Sequence, residues 1–147
     1  MNGGGRRAGA WSQSSRAAYG TDVPVETGLC GAVVHTVTDD DTAIAAHSGD
    51  VNVLATPRIV ALCEQASIEA VAQHLAKGET TVGMRVQLNH LAPVGVGGVI
   101  TVTAKLERID GRRLSFTVSV NDDRGLIAAG KVTRVVVDRK RFLERTN

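Results

Sequence analysis

Aromatic residues are scarce in this chain: they make up 3% of the 147 residues, whereas hydrophobic residues as a whole make up 43%. A core of this composition is built from aliphatic side chains. The few aromatic residues are also scattered, which argues against a stacking platform for single-stranded nucleic acid. The formal net charge of +2 is too small to indicate a nucleic-acid partner by itself. We therefore expect a globular protein that does not bind nucleic acid.

Cysteine is also rare. Cys30 and Cys63 lie far apart, and neither belongs to a CxxC pair, so no disulfide framework is expected. Two reduced cysteines are typical of a cytoplasmic protein. No apolar run approaches the ~20 residues that span a bilayer, and the N-terminal stretch GRRAGAWSQSSRAAYG lacks the apolar segment of a secretory signal. The sequence predicts a cytoplasmic protein with no membrane partner.

The composition changes once along the chain. Residues 1–25 are rich in Gly, Ser, Ala and Arg and show no hydrophobic period, which predicts a flexible N-terminal arm. Residues 26–147 fit a single globular domain. Within this domain, residues 28–47 (GLCGAVVHTVTDDDTAIAAH) contain two short apolar runs around an acidic turn at residues 38–41. This arrangement predicts a β-hairpin.

Residues 56–71, TPRIVALCEQASIEAV, predict one long helix. Thr56 is a suitable N-cap, and Pro57 suits the first helical position, where its missing N–H costs nothing. Stop signals follow at His74, Lys77 and Gly78. Apolar residues cover nearly the whole circumference of this helix, which is typical of an enclosed helix.

After the helix the hydrophobic period changes to two, the period of a β-strand. Four strand-like runs follow: TVGMRVQLNHLAPV, GVITVTAKLERI, RRLSFTVSVND and LIAAGKVTRVVVD. Asp110-Gly111 is a tight-turn signal between the second run and the third. These elements predict an α+β fold in which a curved antiparallel sheet wraps one long central helix. One helix leaves part of such a sheet bare, so we expect a second subunit.

Three polar residues are candidates for one chemical site. Thr56 and Glu64 are about 80° apart around the helix axis, so both can border one pocket. Strict alternation places His90 on the apolar face of the first run, with Val82 and Met84, towards the helix. A hydroxyl, a carboxylate and an imidazole in an apolar site are suited to acyl transfer. Each residue also has an ordinary interpretation, as a cap, a solvated glutamate or a core histidine bonded to a carbonyl.

The order of elements and three segments resemble the fluoroacetyl-CoA thioesterase-like branch of the hotdog-fold superfamily. The segments are ATPRIVALCEQAS, VGMRVQLNHLAPVGVGGVITVTAKLERIDGRRLSFTVSVND and GLIAAGKVTRVVVD, and the resemblance covers about residues 25–145. It implies a hotdog fold with Thr56, Glu64 and His90 as the catalytic set. It also implies that Gly83 lies near the thioester and that Arg134 helps to bind the substrate. The implied partners are an acyl-CoA and further copies of the chain, in a homodimer or a dimer of dimers.

The implied reaction is hydrolysis of an acyl-CoA thioester to a free acid and CoA, without a metal or other cofactor. Glu64 is the nucleophile or the general base in this scheme, Thr56 positions or attacks the acyl carbon, and His90 carries protons. Backbone N–H groups at the helix start can hold the oxyanion. The family's namesake has aromatic lid residues before the helix, where this chain has HSGDVNVLA. We therefore expect a short- to medium-chain acyl group rather than selectivity for a fluorinated one.

Basic residues are candidates for binding the CoA phosphates. Arg112 and Arg113 lie in the tight turn, and DRKRFLER follows near the C-terminus; a solvated turn and tail is the ordinary interpretation. Two other functions remain open for this fold. One is a non-catalytic protein that binds acyl-CoA. The other is an enoyl-CoA hydratase-like enzyme, for which His47 and Asp50 supply the residue types.

Overall fold

The computed structural model describes residues 25–146. Its strands are β1 (Cys30–Thr36), β2 (Glu79–His90), β3 (Val99–Asp110), β4 (Arg113–Asp122) and β5 (Gly125–Asp138), and its helices are α1 (Thr56–Val71) and α2 (Arg139–Leu143). The four strands predicted after the long helix are confirmed, with their ends moved slightly. The arm predicted over residues 1–25 lies outside the described residues except for Val25, which is fully buried.

The five strands form one antiparallel sheet in the order β1-β3-β4-β5-β2. Tight turns join β3 to β4 and β4 to β5, and Gly111 and Gly125 adopt the positive φ angles (65° and 128°) that these turns require. Between β1 and β2 the chain crosses from one edge of the sheet to the other, and α1 lies in that connection. The helix is therefore flanked by both edge strands.

The buried stripe of α1 packs on the concave side of the sheet. Its members recur at helical spacing: Ile59, Leu62, Cys63, Ala66 and Ala70. The helix lies closest to β1 and β3. Gly31 permits this approach, because a Cβ at that position would overlap the backbone of Ala66 and Ala70. The opposite edge strand, β2, packs more loosely on the helix. We refer to the seam between α1 and β2 as the trough.

One side of α1 is uncovered in the single chain. Ala61, Gln65 and Ile68 are exposed along that side. The prediction of an enclosed helix is therefore wrong for one chain taken by itself, because the sheet of a single subunit covers only the opposite side of the helix.

The hairpin predicted over residues 28–47 is wrong. Only β1 forms there, and it pairs with β3. The acidic segment Asp39–Asp41 is a 3-10 helix, and residues 42–55 form a loop with isolated bridges at Thr42 and Val53. The physical reason is the side chain of Asp41, which turns back to accept a hydrogen bond from the Thr38 N–H at 2.7 Å. This bond closes a helical turn instead of a turn between two strands.

Candidate active site

A hydroxyl and an imidazole meet where the start of α1 faces the end of β2. Thr56 Oγ1 lies 2.8 Å from His90 Nδ1. The other ring nitrogen of His90, Nε2, is buried and has no hydrogen-bond partner among residues 25–146. An unpaired polar atom in a buried position costs free energy, so a ligand atom that forms a hydrogen bond with Nε2 would remove this cost. When the Thr56 hydroxyl donates to Nδ1, Nε2 carries the proton and presents a donor.

The prediction that Thr56 caps the helix is wrong. Ala55 is the N-cap, Thr56 and Pro57 are the first two helical residues, and no side chain caps this end. The Thr56 hydroxyl is therefore not engaged by the helix backbone. Pro57 has no N–H, and the N–H groups of Arg58 and Ile59 both bond to the Ala55 carbonyl at 3.1 Å. In the part of the chain that the structure describes, the Thr56 N–H has no bonded acceptor.

A second polar pair lies two helical turns further along α1. Arg134 Nη1 donates to Glu64 Oε2 at 2.7 Å. Arg134 also donates to the Thr81 hydroxyl and to the Thr81 carbonyl, both at 2.9 Å. The side chain of Arg134 is 7% exposed and that of Glu64 is 31% exposed. Burial lowers the pKa of Arg134 and the charge of Glu64 opposes that shift, so the carboxylate offsets the cost of burying the cation.

A β-bulge turns Gly83 towards this second pair. The register of β2 against β5 shifts directly after Gly83 and leaves Met84 without a paired residue. A Cβ on Gly83 would overlap Oε2 of Glu64, so this glycine faces α1. Met84, predicted to face the helix, is exposed. The predicted alternation along β2 is therefore wrong before the bulge, where the odd-numbered residues face α1. It is correct after the bulge, where the even-numbered residues, including His90, face α1.

Apolar side chains line the space between the two polar pairs. Thr56, Val60 and Glu64 are spaced by four residues and lie on one face of α1, with the first and last about 12 Å apart along the axis. On β2, Val86 and Leu88 pack against the core from the neighbouring side. The three predicted catalytic residues therefore border one trough as parts of two separate pairs. Within residues 25–146, no hydrogen bond joins the two pairs.

The arginines predicted to hold phosphates lie at one end of the sheet. Arg112 Nη1 is 3.4 Å from both Glu79 Oε2 and the Val136 carbonyl, and Arg113 begins β4 with its side chain exposed. A surface groove of ≈ 550 Å³ at this end is lined in part by Arg112, Arg141, Phe142 and Arg145. Val136 follows Arg134 by two residues, about 7 Å along β5. The basic end of the sheet therefore adjoins the Glu64–Arg134 pair rather than the Thr56–His90 pair.

A buried carboxylate beside the start of α1 is not predicted from the sequence. Asp41 accepts a hydrogen bond from Arg58 Nε at 2.8 Å, and its other oxygen lies 2.8 Å from His35 Nε2. The available signal was the spacing of Thr38 and Asp41, which is typical of a helical turn stabilised by a side chain. That signal was outweighed by the apolar runs on either side, which predicted a hairpin.

No helix among residues 25–146 is long and apolar enough to cross a membrane. In the same range, no group of three or more His, Cys, Asp or Glu side chains is arranged to hold a metal ion.

The architecture is that of the hotdog-fold thioesterases whose solved structures are similar to this chain. The solved structure of the fluoroacetyl-CoA thioesterase FlK matches with a TM-score of 0.79 and 29% identity, over 84% of this chain and 96% of that one. A thioesterase superfamily member from Thermus thermophilus matches with a TM-score of 0.77 and 25% identity, over 84% of this chain and 91% of that one. The predicted hotdog fold is confirmed.

Sequence similarity narrows this class to one family. The sequence model of the family described as FlK, fluoroacetyl-CoA-specific thioesterase, matches residues 37–140. The fluoroacetyl-CoA thioesterase of Streptantibioticus cattleyicolor is 38% identical over 90 residues, which span 61% of this chain and 65% of that relative's length. This chain belongs to the FlK family. The predicted family is confirmed.

Proposed function

We propose that this protein is an acyl-CoA thioesterase that hydrolyses a short- to medium-chain acyl thioester to a free acid and CoA. The observation that carries the proposal is the 2.8 Å contact between Thr56 Oγ1 and His90 Nδ1. A hydroxyl that donates to a histidine ring nitrogen is an activated nucleophile. The pair stands at one end of an aliphatic trough whose other end adjoins the basic end of the sheet, so the trough is a suitable place for the pantetheine arm of CoA. The proposed reaction uses no cofactor beyond the CoA of the substrate.

In the proposed reaction, Thr56 Oγ1 attacks the thioester carbonyl carbon while its hydroxyl proton passes to His90 Nδ1. The C–S bond then breaks, and the departing CoA sulfur takes that proton. Water next attacks the Thr56 ester, and its proton passes through His90 to the Thr56 oxygen as the acid leaves. The N–H of Thr56 and the positive end of the helix dipole stabilise the oxyanion in both steps.

Glu64 has a supporting role in this proposal. Its carboxylate is bonded to Arg134, and its side chain is 31% exposed, so it is accessible to the water of the second step and can orient it. The competing route is direct attack by Glu64 on the thioester, which would form a mixed anhydride. The two routes acylate different residues. Peptide mass spectrometry of protein quenched during turnover is expected to find the acyl group on Thr56; an adduct on Glu64 would assign the attack to the carboxylate.

The choice of acyl group follows from the loop before α1. Residues 42–55 contain no aromatic residue, and the large side chains Ile44 and Val51 are exposed on this loop. An aliphatic loop offers no rigid aromatic surface to close over a very small acyl group, so the proposed substrates extend to medium chains. For the CoA portion, Arg112 and Arg113 at the basic end of the sheet are the proposed phosphate-binding residues.

The proposed assembly is a homodimer, or a dimer of dimers. The uncovered side of α1, with Ile68, and the unpaired edge of β2 are the surfaces in support of a second copy, since an exposed edge strand is normally paired or covered. The proposed location is the cytoplasm. Cys30 and Cys63 are both free thiols, and burial, followed by the charge of Glu64, raises the pKa of Cys63 to about 11, so that thiol is an unreactive packing group.

A thiol-release screen tests the function. The purified chain is expected to release CoA from acetyl, butyryl or hexanoyl esters faster than from fluoroacetyl-CoA, with the rate measured by a thiol reagent. Binding of these esters without release would support the non-catalytic alternative instead. Hydration of crotonyl-CoA without thiol release would support the hydratase-like alternative.

Replacing Gly83 with alanine is expected to lower kcat by about tenfold to a hundredfold, because displacement of a positioned group by about 1 Å has effects of this size. The added Cβ would overlap Glu64 Oε2 and lie 3.4 Å from Arg134 Nη1, so the carboxylate must move. Gly95→Ala is the matched control, because a Cβ there meets open space. Equal kcat values for the two variants would show that turnover does not depend on where this carboxylate lies.

A further inference from the structure

A buried carboxylate joins three elements beside the first turn of α1. Oδ1 of Asp41 accepts from Arg58 Nε at 2.8 Å, and Oδ2 lies 2.8 Å from Nε2 of His35 on β1. Oδ2 also accepts from the N–H and the hydroxyl of Thr38, at 2.7 and 3.1 Å. The Asp41 side chain is 6% exposed. We refer to His35, Asp41 and Arg58 as the anchor network.

The charge state of the anchor network is set by its hydrogen bonds. Burial raises the pKa of Asp41, but the hydrogen bonds from the Thr38 N–H, Arg58 and His35 lower it by more, so it lies well below its usual value. Asp41 is therefore ionised whenever the protein is folded at ordinary pH. A buried carboxylate with this many donors is held rigidly, because losing any one donor leaves it undercompensated.

The anchor network holds the chain on both sides of Thr56. The carbonyl of Asp41 accepts the N–H of Ala55 at 2.9 Å, while its carboxylate binds Arg58. Residues 56 and 58 are about 200° apart around the helix axis. Thr56 therefore faces His90 on β2, whereas Arg58 extends to the opposite side, where the network reaches β1. The helix start is held between the two edge strands.

This helix start lacks the usual means of fixing its position. Its N-cap is an alanine, and no side chain caps it, although a capping oxygen normally satisfies one of the first N–H groups. The backbone bond from Ala55 and the buried side chain of Ile59 hold the turn near the sheet, and the anchor network is the side-chain contact that fixes its exact position. Without it, the Thr56 hydroxyl is expected to shift away from His90.

We propose that Asp41 and Arg58 are positioning residues that fix the first turn of α1 against β1 and so hold the Thr56 hydroxyl within hydrogen-bonding distance of His90. They do not touch the reacting atoms. The expected kinetic effect rests on the proposed thioesterase function, whereas the expected geometric effect does not.

The first experiment is the ¹⁵N spectrum of the His90 ring, which can be measured whether or not the protein turns over a substrate. His90→Gln assigns the signal, and Thr56→Val gives the position of Nδ1 without its hydrogen bond. In Arg58→Ala, the Nδ1 signal is expected to move towards the Thr56→Val position. In Arg58→Lys, which keeps a cation beside Asp41, the signal is expected to stay nearer to wild type. An unmoved signal in Arg58→Ala would overturn the proposal.

The second experiment separates positioning from stability. Arg58→Ala is expected to lower kcat by about tenfold to a hundredfold while KM changes by less than about threefold. Ile109→Ala, at the far end of β3 where the side chain is partly buried, is the control that loses stability without touching the helix start. Equal kcat values for these two variants, measured below both melting transitions, would contradict a positioning role.

A third variant keeps the test decisive if Arg58→Ala does not fold. Asp41→Asn retains the shape of the side chain but removes the charge that Arg58 requires, and the same shift of the His90 signal and the same loss of kcat are expected. If the wild-type protein hydrolyses no acyl-CoA ester, the proposed function fails, and the His90 spectra of these variants alone decide whether the anchor network positions Thr56.

Discussion

Changing His90 to glutamine is expected to lower kcat for the preferred acyl-CoA ester by about 10³-fold, with little change in KM. Glutamine keeps a polar side chain of similar reach but cannot accept and return a proton near neutral pH. Thr56→Val, which replaces the hydroxyl by a methyl group, is expected to have an effect of similar size. The double variant is expected to be no worse than either single variant, because the two residues act as one unit.

The controls for this pair use the same substitutions elsewhere. His74→Gln changes a half-buried histidine of the short 3-10 helix that follows α1, and Thr117→Val changes an exposed threonine of β4. Both residues lie away from the Thr56–His90 pair, so both variants are expected to keep kcat within about twofold of wild type. Steady-state thiol release measures all the variants. If the effects of His90→Gln and Thr56→Val multiply in the double variant, the hydroxyl and the imidazole act independently, and the proposed proton transfer between them is wrong.

Changing Glu64 to alanine is expected to lower both stability and activity. The change leaves the Arg134 guanidinium buried with only Thr81 as a hydrogen-bond partner. Removing one member of a fully buried ion pair costs about 3 kcal/mol or more. Because the Glu64 side chain is 31% exposed, a smaller loss of about 2 kcal/mol is expected, which lowers Tm by about 6 °C for a domain of this size. Thermal unfolding measures this effect, and the loss of the carboxylate is expected to reduce kcat by about 10²-fold as well.

A double variant separates the two consequences of losing Glu64. Glu64→Gln combined with Arg134→Met removes both charges while keeping side chains of similar volume, so stability is expected to return to within about 1 kcal/mol of wild type. Activity is expected to stay low, because the carboxylate is still absent. A double variant that recovers kcat together with Tm would show that Glu64 serves the fold and not the reaction.

The strands and the long helix were predictable because their signals are local. Apolar residues alternate along β3, β4 and β5, so that one face of each strand is buried. Asp110-Gly111 marks the turn between β3 and β4. The spacing of Thr56 and Glu64 on α1 follows from helix geometry alone. These choices depend on neighbours within a few residues, so the sequence contains them in readable form.

The failed predictions have both local and distant causes. The acidic segment at residues 38–41 was expected to turn between two strands, but the Asp41 side chain closed a 3-10 turn and then bonded to Arg58, 17 residues away. The bulge after Gly83 reversed the alternation of β2. A glycine inside a strand often marks a bulge, but it does not by itself establish that one forms. Ala55, and not Thr56, is the N-cap of α1, and the Thr56 hydroxyl bonds to His90 instead.

The sequence by itself determined the long helix and the four strands after it, the family, and the identity of the polar residues that border the trough. Only the tertiary structure decided how those residues are paired: Thr56 with His90, 34 residues apart, and Glu64 with Arg134, 70 residues apart. Local patterns fix backbone conformation and the buried face of each element, whereas the pairing of side chains depends on strand register, on one bulge and on how closely a glycine lets a helix approach. Those quantities are set when the elements pack together.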